Sequence, residues 1–230
     1  MSHAILSATA LSKSYETTTA IAGLDIEVAQ GESLAIMGAS GSGKTTLLHV
    51  LAGITVPDSG HVLFAGASGP VEIVGLGEGD RSRLRREEFG FVFQSGLLIP
   101  ELTAIENVAL ALMLTGTSRA EAEKEAARWL ASLGLGGMED RRIGQLSGGQ
   151  AQRVAIARAL VTGASVIFAD EPTGALDSRT GAEVMDALLA TTVGEGRTLI
   201  VVTHDATVAA RCSRTVHMRD GVLVGEQLAA

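Results

Sequence analysis

Gly38-Ala39-Ser40-Gly41-Ser42-Gly43-Lys44-Thr45 is the stretch that decides the fold. Before it, Ser33 to Met37 is a short apolar run that reads as a strand. After it, Thr45 to Leu51 is apolar and meets no breaker until Gly53, which reads as a helix. Strand, glycine loop and helix in that order are what a phosphate loop requires, and the residues match the G-x-x-x-x-G-K-[ST] pattern in full. In such a loop the glycines let backbone N–H groups curve around a β-phosphate and the helix start presents its positive end. Lys44 reaches the β- and γ-phosphates, and the Thr45 hydroxyl ligates Mg²⁺. Alone, the loop allows a kinase, a GTPase or a helicase.

Working outward, the amino-terminal segments Ile5 to Tyr15 and Ala20 to Val28 read as strands of an antiparallel sheet, followed by Gly60 to Phe64 and a buried strand Phe89 to Phe93. From Thr103 the pattern turns helical, with Ala104 to Leu114, Ser118 to Leu133 and Gly148 to Leu160 separated by glycine-containing turns. Ser118 with Glu121 reads as a capping box. Strands and helices then alternate: Val166 to Ala169, Arg179 to Thr191, Thr198 to Thr203, Ala206 to Arg211, Arg214 to Met218 and Val222 to Glu226. That alternation implies a parallel sheet with helices on its faces, interrupted by a helical lobe. Arg81 to Arg86 reads as a solvated helix face, with a role near the lipid surface or a partner as the alternative, and Gly66 to Gly79 as a long connection.

Composition narrows the classes. The 230 residues are 46% hydrophobic, ample for a globular core, and the 28 glycines cluster where backbone approaches a ligand or turns sharply. A net charge of -8 argues against general affinity for nucleic acid, which depends on lysine and arginine neutralising phosphates. The longest apolar runs, such as Val108 to Leu114 and Leu199 to Val202, are far short of the roughly 20 residues that span a bilayer. The start, Met1-Ser2-His3-Ala4, has no secretory signal, and the single Cys212 forms no internal disulfide, so a cytoplasmic location and a packing role for that thiol are expected. His3, His49, His61 and His217 belong to no motif, and no cluster has zinc-site spacing.

Val166-Ile167-Phe168-Ala169-Asp170-Glu171 is an apolar strand that ends in two carboxylates. A ligand crevice opens at the carboxyl end of a parallel strand, so Asp170 is placed to hold Mg²⁺ through water, and Glu171 to orient and deprotonate an attacking water. Alone, an acidic pair at a strand end also fits a solvated turn; the phosphate loop upstream weights the first reading.

Leu146-Ser147-Gly148-Gly149-Gln150 is the signature of ATP-binding cassette proteins, and with the phosphate loop it makes the chain resemble the ATPase subunit of an ABC transporter over essentially its whole length. The resemblance implies an α/β fold: a P-loop NTPase (RecA-like) core with an antiparallel β subdomain and an inserted α-helical subdomain. Residues 1–230 would be a single domain, with 1–94 and 163–230 as the RecA-like and β lobe and 95–162 as the helical lobe. It also implies a divided site for ATP and Mg²⁺. Gly38, Ala39, Ser40, Gly41, Ser42, Gly43, Lys44, Thr45 and Thr46 bind the phosphates, and Tyr15 stacks on adenine. Gln94, with Thr45 and Asp170, attends to the metal and the attacking water, and His204 contacts the γ-phosphate beside the base Glu171. Ser147, Gly148, Gly149, Gln150 and Asp177 serve the nucleotide held by a second copy of the chain, arranged head to tail.

Phe91-Val92-Phe93-Gln94, Pro172-Thr173-Gly174-Ala175-Leu176-Asp177 and Arg153 to Leu160 are similar to the subfamily of macrolide exporters, lipoprotein-release systems, haem exporters, peptide-antibiotic resistance pumps and the cell-division cassette. That similarity implies a separate membrane permease with few helices and a large extracytoplasmic domain, no nucleic-acid partner, and a place on the inner face of the plasma membrane. It favours export or membrane extraction. The alternative is a mechanical cassette that regulates an external enzyme through its membrane partner without transport. Ala151, where the subfamily often has glutamine, departs from its pattern.

Overall fold

The computed structural model describes residues 3–67 and 69–228. Strand β1 (Ala4–Tyr15) turns back into β2 (Thr18–Ala29), and β3 (Ser33–Met37) runs into the glycine loop and helix α1 (Lys44–Leu51). Strands β4 (Ser59–Gly66) and β5 (Gly69–Glu72) follow, then α2 (Glu78–Glu87) and β6 (Phe89–Phe93). A helical stretch holds α3 (Ala104–Met113), α4 (Arg119–Ser132) and α5 (Gly148–Leu160). The chain closes with β7 (Val166–Asp170), α6 (Ser178–Thr191), β8 (Thr198–Thr203), the short α7 (Ala206–Ala209), β9 (Arg214–Arg219) and β10 (Val222–Leu228).

These strands make two sheets, an antiparallel one in the order β2-β1-β4-β5 and a mixed one in the order β10-β9-β3-β8-β7-β6. In the second sheet β3 is parallel to β8 and β9, β8 to β7, and β7 to β6. All the loops that leave β3, β6, β7 and β8 therefore open at one carboxyl edge. The register Met37↔Thr203, Asp170↔Val202 and Phe93↔Asp170 keeps their ends level. A ligand crevice belongs at that edge. The α/β architecture expected from the sequence is the one observed.

The inner strands read as unbroken apolar runs because both faces are covered. Ala35, Ile167, Ala169, Leu199 and Val201 point into a core shared with α3 to α6, whereas Leu34, Ile36, Val166, Phe168, Ile200 and Val202 point into a core shared with α1 and the antiparallel sheet. Phe89 joins the two sheets: its ring meets Phe64 edge-on at 5.0 Å and Phe168 at 5.2 Å. Among the described residues no helix is long and apolar enough to cross a membrane.

Three local expectations are corrected. The 66–79 connection is not a plain loop, since β5 folds back on β4 with Gly66 opposite Gly69, and Glu72 accepts from the Val62 amide. The 81–86 arginines are not simply solvated. Arg85 donates to the Gly53 carbonyl and to Glu78, and Arg81 donates to the Leu76 carbonyl and to Glu78. Those guanidiniums, Arg85 foremost, hold the Glu78 carboxyl down to about 2. At α4 only half of a capping box forms, because the Glu121 carboxylate accepts from the Ser118 hydroxyl rather than from its amide. Complete boxes stand instead at α3, from Thr103 and Glu106, and at α5, from Ser147 and Gln150.

Candidate nucleotide site

The phosphate loop owes its shape to positions no side chain tolerates. Gly43 has φ +101°, and a Cβ there would lie 2.0 Å from the Ala20 carbonyl oxygen, so loop and β2 touch backbone to backbone. Lys44 is buried and its Nζ donates to the Gly38 and Ala39 carbonyls, both at 2.9 Å. The first intrahelical bond of α1 runs from the Leu47 amide to Gly43, which leaves the amides of Lys44, Thr45 and Thr46 at an open helix start. Ser42 Oγ is buried and has no hydrogen-bond partner among the described residues. A cationic, donor-rich loop with an unsatisfied hydroxyl fits an oligophosphate.

The carboxylates at the end of β7 take different environments. Asp170 Oδ1 accepts from Thr45 Oγ1 at 3.3 Å, and burial pushes its carboxyl above the usual range while the Thr45 bond pulls it back. A desolvated carboxylate beside a hydroxyl is a hard-oxygen set of the kind Mg²⁺ takes with water and phosphate oxygens, so these residues fit that ion. Among the described residues no group of three or more His, Cys, Asp or Glu side chains is placed to hold a metal by itself.

Glu171 turns away into the left-handed region at φ +48°, its amide donating to the Val202 carbonyl at 2.9 Å. Its Oε1 lies 2.8 Å from His204 Nδ1, and its Oε2 accepts from Thr203 Oγ1 at 3.4 Å. Gln94, the first residue after β6, lies close against Gly174. A Cβ at Gly174 would stand 2.9 Å from Gln94 Nε2, so the glycine makes room for the amide.

These groups line one open cavity of about 720 Å³, with Ala39, Ser40, Gly41, Gly43, Lys44, Thr45 and Thr46 on one side, Gln94, Glu171 and His204 on another, and Thr18 and Ala20 of β2 closing the edge. Gly38, Ser42 and Asp170 are not among its lining residues. Tyr15 is exposed at the turn opposite Thr18, with Lys13 Nζ 5.5 Å from its ring centroid. Three contributors were invisible in the sequence: Thr18 and Ala20 as walls, and Thr203 as a partner of the Glu171 carboxylate. Only the pairing of distant strands brings them in. An equally large cavity at the amino ends of β7 and β8, among Gln30, Ser165 and Arg197, is lined by neither lysine nor carboxylate.

Ser147, Gly148, Gly149, Gln150 and Asp177 do not line the nucleotide cavity. They gather elsewhere. Ser147 Oγ caps the Gln150 amide at 3.3 Å and Gln150 Oε1 accepts from the Ser147 amide at 2.9 Å, so α5 starts in a fixed direction. A Cβ at Gly149 would lie 2.4 Å from Thr180 Cγ2 of α6. Asp177 caps α6 through the Arg179 and Thr180 amides, and the Thr180 bonds hold its carboxyl below the usual range. Two helix starts thus lie side by side, positive ends together.

Residues 21–174 match the family model described as "ABC transporter". The chain is 49% identical over 205 residues to the macrolide export ATP-binding/permease protein MacB of Wolinella succinogenes, covering 89% of this chain and 31% of that protein. It is 50% identical over 204 residues to the pyoverdine export ATP-binding/permease protein PvdT of Pseudomonas savastanoi pv. phaseolicola, covering 89% of this chain and 30% of that one. The chain therefore spans about a third of the length of these relatives. Among solved structures it is similar to the dimeric cassette MJ0796, with a TM-score of 0.88 at 36% identity over 98% of this chain and 99% of the other. The dimeric post-hydrolysis state of that cassette bound to ADP and Pi superposes with a TM-score of 0.87, also at 36% identity, over 98% of this chain and 99% of that one.

Proposed function

Because the chain belongs to the ABC transporter family, we propose that it is the ATP-hydrolysing cassette of an export or membrane-extraction machine, working as a head-to-tail pair that drives a membrane permease. The observation that carries this reading is the presence on one chain of two half-sites that do not meet. One is the cavity with Lys44, Thr45, Gln94, Glu171 and His204; the other is the capped start of α5 at Ser147 beside Asp177. In a twofold pair each helix start would cover the other copy's cavity and meet the γ-phosphate with its positive end.

In the proposed cycle Lys44 leaves the Gly38 and Ala39 carbonyls for phosphate oxygens, and the amides at the start of α1 bind the β-phosphate. Thr45, Gln94 and, through water, Asp170 would hold Mg²⁺, which would supply charge neutralisation on the phosphates. Glu171 takes the proton of the attacking water. His204, already hydrogen-bonded to that carboxylate, fixes its orientation and reaches the γ-phosphate, while Tyr15 stacks on adenine. Residues 95–162 act as the helical lobe of a single 1–230 domain.

A permease would engage the groove of about 330 Å³ beside this site, walled by Phe91, Phe93, Leu97 and Leu114 with Arg85 and Arg158 at its rim. The names of the export relatives, which join an ATP-binding part to a permease, support a permease partner; the few-helix type with a large extracytoplasmic domain, reached from the inner face of the plasma membrane, is the form proposed for it. Mixing two inactive variants tests the pair. Lys44→Ala spoils a cavity and Ser147→Arg spoils a helix start, so a mixed dimer keeps one complete site. The mixture should regain up to about a quarter of the wild-type ATPase rate, since half of the random dimers are mixed and each has one site. A mixture no more active than either variant alone refutes the shared site.

A further inference from the structure

The loop that carries Gln94 is tied to α5 by side chains that the cycle above does not use. Gln152, buried on α5, donates from Nε2 to the Phe93 carbonyl at 3.0 Å. Arg158, six positions on, donates through Nη1 to the Leu97 carbonyl at 2.7 Å and through Nη2 to the Gly96 carbonyl at 2.6 Å. Gly96 and Leu97 are both left-handed, at φ +69° and +45°. The second is a conformation that a branched L side chain rarely adopts. None of the bonds that Arg158 makes among the described residues goes to a carboxylate, and burial pushes its guanidinium below its ordinary range.

A guanidinium partly withdrawn from water, with no carboxylate partner among the described residues, is held by the carbonyl dipoles aimed at it. Those carbonyls point at Arg158 because the backbone makes consecutive left-handed turns, and the turn at Leu97 lasts because Arg158 occupies it. Turn and arginine specify each other. The helix itself does not need the pair, since Val154, Ile156, Ala157 and Leu160 already bury its apolar face.

We propose that Gln152 and Arg158 are positioning residues, a latch that sets where Gln94 stands in the nucleotide cavity. One helix would then place Ser147 toward the partner copy and Gln94 toward its own nucleotide. The latch rests on the ATPase reading above for its consequence in turnover, but not for its consequence in the free chain.

Hydrogen exchange on the full chain without nucleotide reads the latch directly. In Arg158→Met the amides of 94–98 should exchange about tenfold or more faster, Gly96 foremost because its amide closes the turn on the Phe93 carbonyl. Residues 150–160 should keep the wild-type pattern. Gln152→Leu, of similar volume, should loosen the same amides, and Arg158→Lys, which keeps the charge without the fork, should be intermediate. Unchanged exchange at 94–98, or equal loosening of α5, overturns the latch. In turnover, Arg158→Met should lower kcat about tenfold while nucleotide affinity stays within about twofold, and in a Gln94→Ala background it should lower kcat no further. Full additivity of the two substitutions overturns it. A wild-type chain that binds no ATP strikes at the ATPase reading instead, and the exchange result still decides the latch.

Discussion

Replacing Glu171 by glutamine keeps the shape of the side chain and removes its ability to take a proton. The amide oxygen still accepts a hydrogen bond where the carboxylate now lies 2.8 Å from His204 Nδ1, and the left-handed backbone at φ +48° is unaffected. Nothing in the substitution touches Lys44, the glycine loop or Ser147, so ATP affinity should stay within about twofold. Loss of a general base lowers rates about 10² to 10⁴, roughly 2.7 to 5.4 kcal/mol of barrier. His204→Ala removes a hydrogen bond to that carboxylate and a contact to the γ-phosphate, from a side chain 68% exposed, but leaves the base itself in place and should therefore cost less than Glu171→Gln. Because His204 acts in part through that carboxylate and in part on the γ-phosphate, the double variant should be slower than Glu171→Gln by less than the cost of His204→Ala alone. Phosphate release gives the rates, and sedimentation with ATP should find the slow variant accumulating as a dimer. Hydrolysis by Glu171→Gln at the wild-type rate would refute the assignment of the base.

Glu78, held at about 2 instead of its ordinary 4.5, has a depressed folded value. Its stabilising contribution is therefore present above about 4.5 and lost as pH falls toward about 2. Glu78→Gln should melt below wild type at neutral pH, with the gap closing across that window in a thermal titration; a gap independent of pH would contradict the Arg81 and Arg85 pairing. Phe168→Ala removes a ring 1% exposed that meets Phe89 edge-on and stacks on Phe91, and urea unfolding should find about 3 to 5 kcal/mol lost. A loss below about 1 kcal/mol would mean that the ring is not packed as its contacts with Phe89 and Phe91 imply.

The strands that carry the chemistry were legible because they are buried on both faces: Ser33 to Met37, Phe89 to Phe93 and Thr198 to Thr203 were read with the observed limits. Contiguous motifs were legible for the same local reason, since the phosphate loop, the acidic pair and the α5 start each hold their residues in sequence. What stayed hidden depends on tertiary contact. β5 has a glycine and a proline among its four residues and owes its pairing to β4. Arg81 and Arg85 look like surface charges until Gly53 is brought beneath them. The left-handed turn at Glu171 is also silent, because glutamate carries no preference for positive φ. Held there by the Val202 carbonyl, Thr203 and His204, it stores strain of order 1 to 3 kcal/mol, a level typical of functional positions.

The proposed pair also bounds how strongly the two copies hold each other. A helix start facing an anion contributes about 0.3 to 1 kcal/mol at exposed sites and up to roughly 2 when partly buried. Two nucleotides would then shift the dimer equilibrium by at most about 4 kcal/mol from this source, close to a thousandfold. Hydrolysis removes the γ-phosphates on which that margin depends. For the loss to open the pair, the rest of the interface has to be weak, and a net charge of -8 on each copy works in that direction at low salt. An interface stable without nucleotide would leave hydrolysis nothing to switch. The cavity that holds Lys44 is open, and an open cavity is suited to a contact that ATP itself completes.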